Sequence, residues 1–269
     1  MKISIVIPTY NCAQYLPRCI ESVKAQTHLD WECVIVDDGS GDDTRAVVLG
    51  LIVGDPRFMY FQLASNVGLS EARNTGIRES SKDSDAFFFL DADDWIEPET
   101  LAFLEDQAAL HPEAGRIISP CMTHWWYENP KIRRSVPWAI EPVGVHGPDS
   151  PHLFSGNACD PGHCTGCLYV RRLIDPSLLW FNPRVFRFED MIMNMGLIFS
   201  GVTTVITDRY LYNYRRRVGS ITLNPGYTDQ NVADSRDALA TLAYRYPPER
   251  ATYIRCKNFL EDRLKQALR

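Results

Sequence analysis

Three carboxylates follow a short apolar segment in the first half of the chain. Residues 86–90 are apolar and aromatic, with polar residues on both sides, which predicts a buried strand. Asp91, Asp93 and Asp94 come directly after it. Like charges this close destabilise one another, so they call for a cation, and oxygen ligands suit Mg2+ or Mn2+. The alternative is the solvated acidic start of the helix predicted near Pro98, and the stretch alone favours neither.

The elements that must position these carboxylates alternate between strand and helix patterns. We predict strands at 3–7, 31–36 and 58–63, helices at 15–26 and 66–77, and Pro8 as the end of the first strand. This alternation indicates a parallel sheet with helices on its faces. Ligands bind beyond the carboxyl ends of such strands, so Thr9, Asp38, Asn66 and Asp91 should converge. Each one alone could be a turn or cap residue, and no Gly-x-Gly-x-x-Gly follows the first strand.

Composition narrows the classes of protein. The 269 residues are 45% hydrophobic and 23% charged, as in an ordinary soluble globular protein. A net charge of -6 argues against a general nucleic-acid binder, so an anionic substrate must be held by local arginines or a metal. We see neither a signal peptide nor eighteen consecutive apolar residues, and we therefore expect a cytoplasmic protein without a membrane span. We interpret the eight cysteines as reduced thiols, with four of them as small core residues: Cys12, Cys19, Cys33 and Cys121.

Residues 124–166 break the alternation. They are rich in Pro, Gly, Trp and His without clear periodicity, which is typical of a long functional loop or one that orders on binding. Its aromatic residues could stack on a sugar or cover the core: Trp125, Trp126, Tyr127 and Trp138. One cluster has an incomplete zinc-site spacing, and the role of its cysteines stays open: Cys159, His163, Cys164 and Cys167.

The second half contains two further charged motifs. Glu189 and Asp190 begin a predicted helix, where a carboxylate either complements the helix dipole or serves as a general base. Residues 215–217 are three arginines before a Gly-Ser turn, which suits either phosphate recognition or a solvated basic loop. Alternation would place Arg216 on the opposite face from its neighbours. The amphipathic helical tail at 229–269 is typical of a segment that packs on its own domain, and less often of one that touches a membrane surface.

The ordered series of motifs resembles the family 2 glycosyltransferases of the GT-A fold. The matching segments are 7–11, 37–40, 66–77, 91–94, 189–190 and 214–222. The resemblance implies an α/β fold, with a Rossmann-like, mostly parallel sheet flanked by helices, an acceptor-binding region and a helical C-terminal tail. It also implies a nucleotide-sugar-binding half at 1–122, an acceptor-binding and catalytic-base half of the same domain at 123–225, and the tail at 226–269.

The same resemblance implies an inverting, metal-dependent transfer of a sugar from a nucleoside diphosphate donor, usually a UDP-sugar. The acceptor would be a hydroxyl of a glycan or lipid-linked glycan, at the inner face of the membrane, for a surface or secreted polysaccharide. Thr9 and Asp38 would hold the nucleobase, Asp91 would lie at the ribose, and Asp93 would bind the Mn2+ or Mg2+ ion. Arg73 would lie against the nucleotide pocket, and Arg215 and Arg217 would hold the diphosphate. Asp190 would be the general base. The implied donor site also includes Pro8, Tyr10, Asn11, Asn66, Gly68 and Ala92.

Two points stay open. Many relatives have a Trp or Lys before the segment that begins at Leu168, whereas residues 163–167 of this chain are His-Cys-Thr-Gly-Cys. The resemblance therefore does not identify the acceptor. A nucleotidyltransferase would also use metal-binding carboxylates, but the first strand lacks a glycine-rich, lysine-bearing phosphate loop after it. A non-catalytic sugar-nucleotide-binding scaffold is the remaining alternative, and the joint presence of Asp91, Asp93 and Asp190 argues against it.

Overall fold

The structure is a computed structural model, and it describes residues 1–126, 133–138, 142–150, 153, 163–185, 188–217, 229–245, 254–255, 257–258, 260–262 and 265. The strands are β1 (Ile3–Thr9), β2 (Trp31–Asp37), β3 (Phe58–Gln62), β4 (Ala86–Phe89), β5 (Trp95–Ile96), β6 (Ala114–Ile118), β7 (Cys121–Trp126), β8 (Arg133–Trp138), β9 (Gly144–His146), β10 (Cys167–Val170), β11 (Thr203–Ile206) and β12 (Tyr212–Arg217). The helices are α1 (Leu16–Lys24), α2 (Thr44–Ile52), α3 (Leu69–Glu79), α4 (Thr100–Leu110), α5 (Glu189–Phe199) and α6 (Asp229–Arg245).

The main sheet joins both halves of the chain. Its strand order over the described residues is β3-β2-β1-β4-β10-β6-β11-β9. The first four strands pair in parallel, β6 and β11 run in the same direction, and β10 and β9 are reversed. This arrangement confirms the predicted mostly parallel sheet. Because β10 lies between β4 and β6, a strand from the second half of the chain completes the sheet of the first half.

Helices cover both faces of this sheet. One core contains apolar residues of α1 and α4, such as Ile20 and Leu104, and the opposite core contains Met193 and Leu197 of α5. Helix α3 also lies on the second face and approaches β1 closely: a Cβ on Gly76 would lie 2.2 Å from the Val6 side chain. Only a glycine allows this approach without a shift of the helix.

Helix α3 turns an unusual face inward. The sequence predicts a stripe of Leu69, Arg73 and Ile77, but in the structure Leu69 and Ile77 are only half-buried. The fully buried positions carry small and polar residues: Ser70, Ala72, Arg73, Asn74, Thr75 and Gly76. The three predicted residues do share one stripe of the helix, on which Arg73 is buried and Ile77 packs against the second core. The other buried positions carry small or polar residues, because the backbones pack closely there and Asn74 bonds to the backbone of Phe181.

A second, smaller sheet has the strand order β5-β12-β7-β8. Strand β12 pairs in parallel with β7 and antiparallel with β5. Residues 90–94 therefore connect a strand of the main sheet to a strand of the smaller one. Strands β7, β8 and β9 lie where the sequence shows no periodicity, so the expectation of one long loop there is wrong. These strands are short and depend on pairing with distant segments, which a local pattern does not show.

Other boundaries differ slightly from the predictions. Pro8 does not end β1, which continues to Thr9 with Pro8 opposite Val36 on β2. In the tail, Val232, Ala238 and Leu260 pack against α5, while Phe259, Leu264 and Leu268 lie outside the described residues. Within the described residues, no helix is both long enough and apolar enough to span a membrane.

The cysteines of the described residues are free thiols. Cys12, Cys19, Cys33 and Cys121 are buried, as predicted for small core residues, and Cys164 and Cys167 are buried as well. Cys159 lies outside the described residues.

Candidate active site

Arg73 joins the carboxyl edge of the sheet to the start of α5. Its Nη2 donates to Asp91 Oδ1 at 2.9 Å and its Nη1 donates to Glu189 Oε1 at 2.6 Å. The guanidinium is almost fully buried and lies 5.2 Å from the ring centroid of Phe181. One cation from α3 therefore holds two carboxylates from different halves of the chain, and the acidic turn and the helix start share a single site.

The two carboxylates at the start of α5 have different environments. The Glu189 side chain is 9% exposed, and burial, together with the charge of Asp190, raises its pKa to about 7 against the opposing effect of Arg73. Burial also acts to raise the pKa of Asp190, but its interaction with His163 and the charge of Arg73 outweigh burial and lower the pKa. Asp190, with 19% of its side chain exposed, is therefore the ionised and more accessible member of the pair.

Local contacts position Asp190. Its Oδ1 accepts the Met191 backbone N–H at 2.8 Å, and its Oδ2 lies 3.4 Å from the Cys164 nitrogen and 3.8 Å from His163 Nδ1. Phe188, the residue before the helix, has a left-handed φ of 65°, which is strained for a bulky side chain. Strain of this kind persists only where the surrounding structure enforces it, and it is common at functional sites.

In the acidic turn, Asp94 points inward. It is 1% exposed, its Oδ2 accepts the Tyr212 hydroxyl at 2.6 Å, and its Oδ1 accepts the Arg215 backbone N–H at 2.6 Å. Burial and the charges of Asp93 and Asp91 raise its pKa. From the sequence, Asp94 was expected only to add to the acidic cluster, and the structure shows that it ties the turn to β12.

Protein groups therefore hold two of the three carboxylates of the turn. Asp91 pairs with Arg73 and Asp94 with β12, so the expectation that the cluster as a whole calls for a cation is too strong. Asp93 is half-buried at the same turn, and over the described residues no group of three or more His, Cys, Asp or Glu side chains forms a metal cage. A single protein carboxylate fits Mg2+ or Mn2+ when substrate phosphates and water provide the other oxygens.

Arg215 faces the acidic turn from β12. Its Nε donates to the Asp93 carbonyl at 2.8 Å, and its guanidinium lies 5.1 Å from the Tyr15 ring centroid and 5.3 Å from that of Trp95. The guanidinium of Arg18 also stacks on Trp95, at 3.3 Å. Two arginines thus flank one indole directly beside the turn, and the basic character of this corner suits an anionic ligand.

The neighbouring arginines differ from Arg215. Arg216 stacks on Trp125 at 4.1 Å, which agrees with the predicted alternation of faces and gives this tryptophan a protein partner. Arg217 ends β12, but its side chain lies outside the described residues, as do those of Trp126, Tyr127 and Trp138. Their predicted roles stay predictions.

Two loops meet at the carboxyl ends of β2 and β3. The Asp38 carboxylate accepts the backbone N–H groups of Val67 at 2.7 Å and Gly68 at 2.9 Å. Gly39 has a φ of 71°, and a Cβ there would lie 2.7 Å from the carbonyl carbon of Ser65. The predicted base-binding aspartate therefore also holds the loop that precedes α3.

Thr9 lies next to this junction, at the end of β1. Its carbonyl accepts the Asp38 backbone N–H at 2.8 Å. Its hydroxyl is buried and has no hydrogen-bond partner among the described residues. A buried hydroxyl without a protein partner is a natural contact for a bound ligand or water.

The other predicted donor residues lie along the same edge. Asn11 Oδ1 accepts the Gly41 backbone N–H, and the Asn11 N–H donates to Ser40 Oγ, both at 2.9 Å, so Asn11 supports the loop. Tyr10 is 47% exposed and Asn66 is exposed, while Pro8 and Ala92 are buried. The structure thus brings the predicted N-terminal set together without testing what each residue binds.

Sequence reasoning assigned no role to several residues of this region. Tyr212 and Trp95 reach the turn through pairing of β12 with β5, which has no local signal. His163, considered above for zinc, instead faces Asp190, and the Cys167 thiol donates to the His163 carbonyl at 3.2 Å. The one signal available for Glu189 was its position beside Asp190.

The chain matches known proteins in sequence. Residues 4–152, more than half of the chain, match the sequence model of glycosyl transferase family 2. Glycosyltransferase GlyA of Streptococcus pneumoniae is 40% identical over 96 residues, which are 36% of this chain and 13% of GlyA. Among eight curated relatives, the match spans between 11% and 63% of the relative's own length.

Solved structures share the whole fold. S. aureus TarS 1-349 in complex with UDP-GlcNAc matches with a TM-score of 0.77 at 20% identity, over 98% of this chain and 73% of that chain. Mannosyltransferase PcManGT from Pyrobaculum calidifontis, in complex with GDP-Man and Mn2+, matches with a TM-score of 0.65 at 16% identity, over 99% of this chain and 71% of that one. The chain has the GT-A glycosyltransferase fold and belongs to glycosyl transferase family 2.

Proposed function

We propose that the chain transfers a sugar from a UDP-sugar to an acceptor hydroxyl of a growing glycan, with inversion at the sugar carbon. The observation that carries the proposal is the contact of one guanidinium, Arg73, with both Asp91 and Glu189. This contact supports the proposal, because it brings the carboxyl edge of the sheet to the start of α5, where Glu189 is the neighbour of the proposed base Asp190. Residues 1–122 would then bind the donor, 123–225 the acceptor, and 226–269 would form a supporting tail.

Asp190 is the proposed general base. Inversion needs one bond to form as another breaks: the acceptor oxygen bonds to the sugar carbon while the bond from that carbon to the diphosphate oxygen breaks. The acceptor loses its proton, and a single carboxylate suffices to take it. The lowered pKa of Asp190 keeps it ionised at neutral pH, and its neighbour Glu189 is occupied by Arg73.

Thr9 and Asp38 are the proposed contacts of the nucleobase of the donor. The buried hydroxyl of Thr9 offers an unused hydrogen-bonding group, and a carboxylate such as Asp38 has lone pairs beyond the two that accept Val67 and Gly68. TarS is a fold relative that binds UDP-GlcNAc, whereas PcManGT binds GDP-Man. The UDP assignment thus rests on the TarS likeness and the resemblance of motifs, and GDP is the competing donor nucleotide.

The diphosphate is assigned to Asp93, Arg215 and Arg217. Negative charge grows on the leaving diphosphate as the glycosidic bond breaks, so cations stabilise the transition state more than the ground state. A bound Mn2+ or Mg2+ would supply Lewis-acid charge there, and the complex of PcManGT with Mn2+ supports a metal in this fold. Arg215 already lies against the Asp93 carbonyl, which positions its charge beside the turn.

A thermal-shift panel tests the donor proposal. UDP and GDP are each added with Mn2+ or with a chelator, to the wild type, Asp93→Asn and the exposed control Asp106→Asn. We expect UDP with Mn2+ to raise the Tm, because a ligand at 100 times its Kd stabilises the folded state by about 2.7 kcal/mol. Asp93→Asn should lose the metal-dependent part of this rise in Tm, and Asp106→Asn should keep it. Absence of any shift, or equal shifts with UDP and GDP regardless of metal, would contradict the proposal.

A further inference from the structure

A row of polar side chains crosses the buried face of the main sheet beneath α5. Tyr169, Arg116, Thr204 and His146 lie opposite one another on β10, β6, β11 and β9. Cross-strand partners point to the same face of a sheet. Ile118, two residues after Arg116 on the same strand, packs with α5, which identifies this face as the one under that helix.

The two outer members of the row have partners. The Tyr169 hydroxyl donates to Asn194 Oδ1 of α5 at 2.9 Å. The ring of His146 lies 2.7 Å from the Pro142 carbonyl through Nε2 and 3.1 Å from Ser150 Oγ through Nδ1. Their polar groups are therefore satisfied by protein atoms.

The two central members differ. Arg116 and Thr204 are both fully buried, at 0% exposure. Within the part of the chain that the structure describes, Nε, Nη1 and Nη2 of Arg116 and Oγ1 of Thr204 have no hydrogen-bond partner. A guanidinium has five N–H donors and keeps its charge in proteins, so its burial without partners is strongly unfavourable.

The two titratable neighbours on β10, Cys167 and Tyr169, do not supply the missing negative charge. Burial raises the pKa of the Cys167 thiol to about 11, and burial also raises the pKa of Tyr169, although the charge of Arg116 acts in the opposite direction on both. Both groups are therefore neutral at pH 7. No carboxylate of the described residues accepts a hydrogen bond from Arg116. Water would satisfy the donors but would leave the positive charge uncompensated.

We propose that a small inorganic anion of the size and charge of chloride binds between the Arg116 guanidinium and the Thr204 hydroxyl. The complete burial of both side chains favours a monatomic ion over phosphate or a carboxylate ligand. The site lies under α5, whose Asn194 links Tyr169 to the backbone of His163. The proposal does not depend on the sugar-transfer proposal, because it rests on charge balance inside the sheet.

A crystal grown in bromide in place of chloride tests the site directly. We expect an anomalous difference peak in contact with the Arg116 guanidinium. The proposal would be overturned if the site held water and showed no anomalous peak. It would also be overturned if a carboxylate from elsewhere in the chain contacted the Arg116 guanidinium.

Thermal unfolding at constant ionic strength gives a second test. Chloride or bromide should raise the Tm of the wild type relative to gluconate, and Arg116→Met should remove this dependence. This variant is expected to fold, since apolar replacement of a buried ion is often neutral or stabilising. Thr204→Val, which keeps the arginine, should weaken the apparent halide affinity about fivefold, the value of one hydrogen bond.

The matched control is Arg172→Met, which removes an exposed arginine and should keep the wild-type halide response. An equal Tm of the wild type in halide and gluconate, or an unchanged halide response in Arg116→Met, would overturn the proposal.

Discussion

The acidic turn and the start of α5 each place two adjacent carboxylates in the site. The two pairs share one arrangement but differ in the partners of their buried members. In both pairs one member is an inward anchor, Asp94 or Glu189, and the other is more accessible, Asp93 or Asp190. The anchors differ in their partners: Asp94 bonds to a hydroxyl and a backbone N–H, whereas Glu189 bonds to the guanidinium of Arg73. An anchor with neutral partners fixes a turn, while an anchor with a charged partner also joins distant segments.

The charged anchor should be the more costly one to break. Arg73→Met leaves Glu189 and Asp91 without their cation, and we expect a loss of about 3 to 5 kcal/mol in the free energy of unfolding. The loss should be larger at pH 8 than at pH 6, because Glu189 can bind a proton at the lower pH. Urea unfolding of the variant and the wild type at pH 6 and pH 8 measures this loss.

The control for this prediction is Arg78→Met on the same helix, whose exposed guanidinium pairs with Glu71. It should change stability by less than about 1 kcal/mol. The double variant Arg73→Met with Glu189→Gln should be more stable than Arg73→Met alone. Additive losses in this cycle would show that the two side chains are not coupled.

The pH dependence of stability sharpens the comparison. Glu189 has its pKa raised from 4.5 to about 7 in the folded chain, so between these values the folded state binds more protons than the unfolded state. The free energy of unfolding therefore falls as pH rises through this window, by about 3 kcal/mol from this group. Glu189→Gln should lack this part of the slope. A difference between variant and wild type that stays constant from pH 4.5 to 7.5 would contradict the assignment.

Loss of a partner of Asp94, the anchor with neutral partners, should lower the free energy of unfolding by less than Arg73→Met does. Tyr212→Phe removes one of the hydrogen bonds to Asp94, together with the acceptor of the Asp91 backbone N–H, and leaves the bond from the Arg215 backbone to Asp94. We expect a loss of about 1 to 3 kcal/mol, measured by urea unfolding. A loss as large as that of Arg73→Met would mean that neutral and charged partners anchor these carboxylates equally.

The N-terminal half could be predicted well from its sequence. Strands buried on both faces are continuous apolar runs, so β1, β2 and β4 stand out, and chain order alone places Thr9, Asp38 and Asp91 at one edge. The structure confirms these strands and that shared edge, while the ligand of each residue stays a prediction.

The second half could be predicted only in part. Strands β7, β8 and β9 are short and pair with distant segments, so no local period identifies them. The contact between Arg73 and Glu189 spans 116 positions, and the inward polar face of α3 departs from an amphipathic pattern. Glu189 and Asp190 are adjacent acidic residues in the sequence, which does not reveal that Glu189 is the less exposed of the two.

The most direct test of the central proposal is the turnover of Asp190→Asn, measured as UDP release from whichever UDP-sugar the wild type consumes, together with UDP affinity. A general base contributes about 10²- to 10⁴-fold, so we predict a fall in kcat of that size with UDP affinity within about twofold of wild type. The exposed control Asp208→Asn should match the wild type in both. Turnover by Asp190→Asn within about tenfold of wild type would contradict its role as the base.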